Sequence, residues 1–152
     1  MAPKKHKLDT RPAYDYLIIG ISTSLKDYKL AFSLNKTMVL SLRKGDDFIH
    51  AVPETQAYSC YFYHDHDLRR DHVLIANKNE QGWLISSLRT VDYFLLISDV
   101  QGSAASPSLL KKISSVPGIL TAIRIEAGRI KDMDLILADL ELHLLKNGLG
   151  EQ

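Results

Sequence analysis

Residues 16–22 read YLIIGIS and residues 92–98 read DYFLLIS. Both runs are short, apolar and rich in residues that favour extended backbone, so each is expected to be a buried strand. Buried strands need cover on their faces, and the rest of the chain supplies amphipathic helices for it. Residues 25–38 have helical periodicity. Ser24 precedes them, with Asp27 three residues on in the manner of a capping box. Leu25, Tyr28, Phe32, Asn35 and Val39 fall together on the helical wheel, and Leu30, Ala31, Leu34 and Met38 widen the apolar arc. Lys26, Lys29, Ser33, Lys36 and Thr37 take the wet side.

Residues 39–51 are ambiguous: VLSLRK alternates like a strand and is followed by a turn at Gly45–Asp46–Asp47. AYSCYFYHD at 57–65 and DHVLIANK at 71–78 form an expected antiparallel hairpin. NEQG at 79–82 turns into WLIS, read as a short strand, and SLRT turns into the strand at 92–98. Ser106 and Pro107 then open a helix that Pro117–Gly118 closes. ILTAIRIE at 119–126 is the next strand, so 92–126 is expected to form a right-handed β-α-β unit. A last helix spans 132–147, with Asp132 and Asp134 at its start and Lys146 at its end, which suits the macrodipole. The expected class is α+β: a mostly antiparallel sheet with one β-α-β crossover, covered by about three helices.

The chain's 152 residues suit one domain, expected over 14–147, with a flexible arm at 1–13 and a flexible tail at 148–152. Apolar residues make up 45% and charged residues 24%, with a net charge of +1. No global field draws such a chain to nucleic acid or an anionic membrane, and no apolar run is long enough to cross a bilayer. Lys4, Lys5 and Lys7 are read as part of a solvated start rather than a nuclear signal or phosphate-binding arm. A single cysteine, Cys60, and a start without an apolar signal region point to the cytoplasm.

The last helix carries two apolar stripes. Met133, Ile136, Leu137, Leu140 and Leu144 make one; Leu135, Ala138, Leu142 and Leu145 make the other. One stripe covers the sheet. The second requires either another part of the chain or a second copy, and a homodimer through Leu135, Leu142 and Leu145 is the expected partner arrangement.

The stretch LIANKNEQGWLISSLRTVDYFLLI, residues 74–97, resembles the signature region of the IPExxxVDY family, small bacterial proteins of unknown function. GISTSLKDYKLAFSLNK, residues 20–36, is similar to the first helix of that family. Val91, Asp92 and Tyr93 match VDY, and Ile85 matches the leading Ile. Ser86–Ser87 stand where the family has Pro-Glu. A Pro followed by an acid suits the first turn of a short helix, and serine can serve the same turn by capping, so the motif reads as structural rather than catalytic. The resemblance implies a cytoplasmic bacterial protein and supplies no catalytic residues.

There is no phosphate-binding loop, dinucleotide fingerprint or cysteine pair, and no cofactor is expected. Cys60 lies mid-strand and reads as an inert thiol. The aromatics Tyr58, Tyr61, Phe62 and Tyr63 read as strand packing, since no basic consensus accompanies them for RNA.

YHDHDLRRDHV, residues 63–73, puts His64, His66 and His72 within nine positions. Loop parity decides whether they gather. An odd loop, 67–71, places all three on one side as a weak metal site; the favoured even loop, 67–70, sends His72 to the other face. The first functional expectation is a non-catalytic interaction or assembly protein that self-associates through its last helix, with an unidentified protein partner also considered. The alternative is a small-molecule binder with a pocket between the first helix and the sheet, near Tyr28, Asn35, Asp92 and Tyr93. The third is metal binding at His64 and His66.

Overall fold

The computed structural model describes residues 16–50, 56–98 and 107–146. The arm at 1–13, the tail at 148–152, the Ser106 cap and Pro53 lie outside the described residues. In chain order the elements are β1 (Tyr16–Thr23), α1 (Asp27–Met38), β2 (Arg43–Lys44), β3 (Phe48–His50), β4 (Gln56–Tyr58), β5 (Cys60–Asp65) and β6 (Arg70–Ala76). A 3-10 turn at Ser86–Leu88 follows, then β7 (Tyr93–Ser98), α2 (Pro107–Ser114), β8 (Ile119–Ile125), a 3-10 turn at Ala127–Arg129 and α3 (Met133–Lys146).

Six strands form one sheet in the order β2-β5-β6-β7-β1-β8, and β3 and β4 form a separate hairpin. Every named pairing is antiparallel. β7 and β8 both pair with β1, so they run parallel to each other with β1 between them, and α2 belongs to the crossover that joins them. The expected α+β class and β-α-β unit are therefore present.

Alternation along the strands builds two cores. One row crosses the sheet through Phe62, Val73, Leu96, Ile18 and Ile125; these face α3. The neighbouring row runs through Tyr61, Leu74, Leu95 and Ile19, which face α1 and α2. Gly20 sits where the β1 backbone comes close to its neighbours: a Cβ there would stand 2.7 Å from Ile125 Cδ1. At one edge β2 ends the sheet with exposed Arg43 and Lys44, charged cover that discourages further strand addition.

Four local expectations are corrected. The predicted strand at 57–65 breaks at Ser59. Its first part pairs with β3, its second joins the large sheet, and Ser59 O accepts the Ala76 amide at 3.0 Å. WLIS is not a strand; only Trp83 makes a bridge, to Lys78. Ser24 does not cap α1, whose N-cap is Lys26 without a side-chain bond. Thr23 Oγ1 instead accepts the Leu25 amide at 3.1 Å.

The fourth correction concerns the face of α1 that is buried. Leu30, Ala31 and Leu34 pack on the sheet, while Tyr28, Phe32 and Val39 are exposed. The first arc is chosen because it meets Ile19, Ile21 and Leu95 of the sheet and Ile113 of α2 in one cluster.

Candidate self-association face

α3 is apolar on two faces, and only one of them is buried. Met133, Ile136, Leu137, Leu140 and Leu144 are buried against Phe48, Phe62, Val73, Leu96 and their neighbours. Each such side chain contributes roughly 1.5–3 kcal/mol on burial, which explains why this stripe takes the sheet. Leu135, Leu142 and Leu145 are 48%, 58% and 50% exposed, with half-buried Ala138 among them. Nothing within the described residues covers that stripe.

Polar contacts fix the helix in this rotation. Tyr16 Oη donates to Glu141 at 2.8 Å, tying α3 to the first strand. On the other flank, His50 Nδ1 lies 2.7 Å from Asp139 Oδ2, tying α3 to the β3–β4 hairpin. His143 Nε2 reaches the Asp46 carbonyl at 3.1 Å, with its ring against Phe48 and Phe62. Rotation that buried the outer leucines would break all three contacts. Sequence reading did not find His50, because the signal that makes it structural is a partner 89 residues away.

The residues proposed for a pocket under α1 are occupied by structural bonds. Asn35 Nδ2 donates to Leu42 O at 3.2 Å, and its Oδ1 accepts the Leu42 amide at 2.8 Å, closing the connection from α1 to β2. Asp92 Oδ2 accepts the Thr23 amide at 2.8 Å, and Lys78 lies 3.5 Å from its other oxygen. Tyr93 donates its hydroxyl to Leu25 O at 2.9 Å, and burial with nearby carboxylates pushes the phenol up to about 12. Tyr28 is exposed, away from that space, which Leu30, Ala31 and Leu34 fill. Asn35, Asp92 and Tyr93 therefore hold the β1–α1 junction and the connection to β2 together, and Tyr28 takes no part in it.

The histidines do not gather. The loop is four residues long, as the even reading has it, but it is 66–69 rather than 67–70. His64 pairs with Asp71 and His72 with Tyr63. His64 Nδ1 is 2.6 Å from Asp71 Oδ1, and its ring meets His66 at 4.6 Å. His72 is buried on the opposite face, its ring 5.4 Å from that of Tyr63. Among the described residues no group of three metal-ligating side chains is assembled.

The 3-10 turn at Ser86–Leu88 is the short helix expected at the motif, but the serines do not cap it. Buried Asn77 does that work. Its Oδ1 accepts the Ile85 amide at 2.8 Å, and its Nδ2 donates to Leu88 O at 3.0 Å and Val91 O at 2.8 Å. Cys60 is fully buried, and desolvation pushes its thiol far up, which suits an inert side chain.

No protein-family model matches this chain, and no curated protein or solved structure shows significant similarity to it. No helix among the described residues is long and apolar enough to cross a membrane.

Proposed function

We propose that this protein is an interaction module that self-associates through the outer face of α3. The observation that carries the proposal is the stripe of Leu135, Leu142 and Leu145, exposed on a helix whose rotation is fixed by Tyr16, His50 and the buried leucines. Its spacing is self-complementary. In an antiparallel pair centred level with Leu140, Leu135 lies opposite the partner's Leu145, and small Ala138 lies opposite the partner's Leu142. On one flank Lys146, at the end of the helix, approaches the partner's Asp132, at its start. Antiparallel pairing also opposes the two macrodipoles, so that the positive end of each helix lies beside the negative end of its partner. The exposed arc of α1 is a weaker candidate, since Lys36 already lies over the Phe32 ring at 5.9 Å.

The resemblance to the IPExxxVDY family is part of the same proposal. Its support is that Val91, Asp92 and Tyr93 act together at one structural junction, a role that survives replacement of the Pro-Glu pair. A cytoplasmic location is likewise proposed, supported by the single buried cysteine.

Sedimentation equilibrium tests the assembly. A dimer at micromolar concentration that Leu142→Asp converts to monomer, with an unchanged melting temperature when both chains are measured below the association concentration, supports the proposal. A wild-type chain that remains monomeric at high micromolar concentration overturns it, as does a dimer indifferent to Leu142→Asp.

A further inference from the structure

Where the Ser86–Leu88 turn, the β3–β4 hairpin and the first turn of α3 meet, they leave a cavity of about 390 Å³. That volume is in the range of small-molecule sites. Its wall includes His50, Tyr58, Trp83, Ser86, Ser87 and Lys131.

The chemistry of the wall is unbalanced. Tyr58 is only 4% exposed, yet its hydroxyl has no hydrogen-bond partner among the described residues. Asp139 takes Nδ1 of buried His50, and Nε2 is left without a partner there. The Trp83 indole N–H, the Ser86 and Ser87 hydroxyls and the Lys131 ammonium are likewise unbonded within the described residues. Neither the Tyr58 hydroxyl nor His50 Nε2 is sealed in the core: both residues line the cavity, where a water or a ligand can meet their free polar atoms. Tyr58, Trp83, Ser86, Ser87 and Lys131 can each donate into the cavity, and Gln56 Oε1 already accepts from Asn79. Among the described residues Asp132 is the one lining carboxylate; it is exposed and adjoins Lys131. The start of α3 adds its positive end to the same corner.

We propose that this cavity binds a small organic anion, with oxyanion oxygens received by Tyr58, Ser86, Ser87 and Lys131 and the apolar body set beside Trp83. A carboxylate and a phosphate monoester share the acceptor chemistry that the wall requires. The site is independent of the outer face of α3.

Trp83 is the single tryptophan of the chain, so its emission reports on the cavity directly. The full chain is titrated with benzoate, phenyl phosphate and, as a cationic counterpart, benzylammonium, at ionic strength held constant with chloride. The expected result is a saturable change with at least one anion and none with benzylammonium; which anion responds separates carboxylate from phosphate. Lys131→Ala and Tyr58→Phe each weaken binding about tenfold, the loss of one strong hydrogen bond. Lys131→Arg retains it. Tyr58→Phe keeps the ring in the core, and the exposed Ser87→Ala gives a further variant that leaves packing intact. Absence of saturation with both anions overturns the proposal. So does equal binding of benzylammonium, or binding that none of the alanine and phenylalanine variants alters.

Discussion

His50 Nδ1 stands 2.7 Å from Asp139 Oδ2, and this contact fastens the small hairpin to the helix that carries the exposed leucines. His50 is buried at 7% exposure, so Asp139 is the main partner open to its Nδ1–H. Asp139→Ala should lower the unfolding free energy by about 1–3 kcal/mol, the usual cost of stranding a buried donor. A shift of the urea midpoint with an unchanged slope would measure it. Asp139→Asn keeps an acceptor oxygen and should cost less.

Asn77 should prove more important than its surroundings suggest. Its side chain holds the Ile85 amide and the Leu88 and Val91 carbonyls, and its backbone bonds Leu84 and Asp92. Asn77→Ala leaves three backbone groups without these partners and should cost about 3 kcal/mol. Hydrogen exchange at Ile85 should accelerate in parallel; an Ile85 amide as protected as in wild type would refute this account.

Burial holds the His72 imidazole below its ordinary value of 6.5, and its Nδ1 has no partner among the described residues. The unfolded chain therefore takes up a proton as pH falls through 6.5, while the folded chain does so only at lower pH. Wherever the unfolded state binds more protons, stability falls with acidification. This contribution is absent above 6.5 and grows below it, until the folded value is passed. His72→Phe, which retains a ring against Tyr63, should flatten that acid limb in denaturation curves measured across the window.

The two stripes of α3 should respond oppositely. Leu137→Ala removes a side chain that is 2% exposed and should cost about 2–5 kcal/mol, because a cavity remains. Leu142→Ala removes one that is 58% exposed and should change monomer stability by about 0.5 kcal/mol or less. Urea denaturation below the association concentration separates the two effects.

Val39 ends α1 at φ 56 and ψ 55, with its amide bonded to Asn35 O. A β-branched residue is strained in that left-handed conformation, and its side chain here is 83% exposed. Val39→Gly should stabilise the protein by about 1 kcal/mol, readable as a rise in melting temperature.

Much of the secondary structure was legible in the chain, because short β-branched runs and sharp helical periodicity are local properties. β1, β6, β7, β8 and α3 lie within a residue or two of where the pattern put them, and both stripes of α3 were drawn correctly. Where expectation failed, the deciding contact was distant. α1 has two usable apolar arcs, and only the facing side chains of the sheet and α2 select Leu30, Ala31 and Leu34 over Tyr28 and Phe32. The run around Ser59 serves two sheets because its partners, β3 and β6, diverge there.

The candidate sites divide in the same way. The amino-acid sequence by itself determined that the last helix would carry one apolar face too many, since helical spacing alone assigns residues to faces. It also determined that His64 and His66 would lie close. Only the tertiary structure decided that His72 faces away, through the register of one hairpin, and that Asn35, Asp92 and Tyr93 are taken up by backbone partners. The cavity beside Trp83 has no local signature at all. It exists because segments from residues 50, 58, 83–87 and 131–136 converge, and such convergence is a property of packing rather than of any stretch of chain.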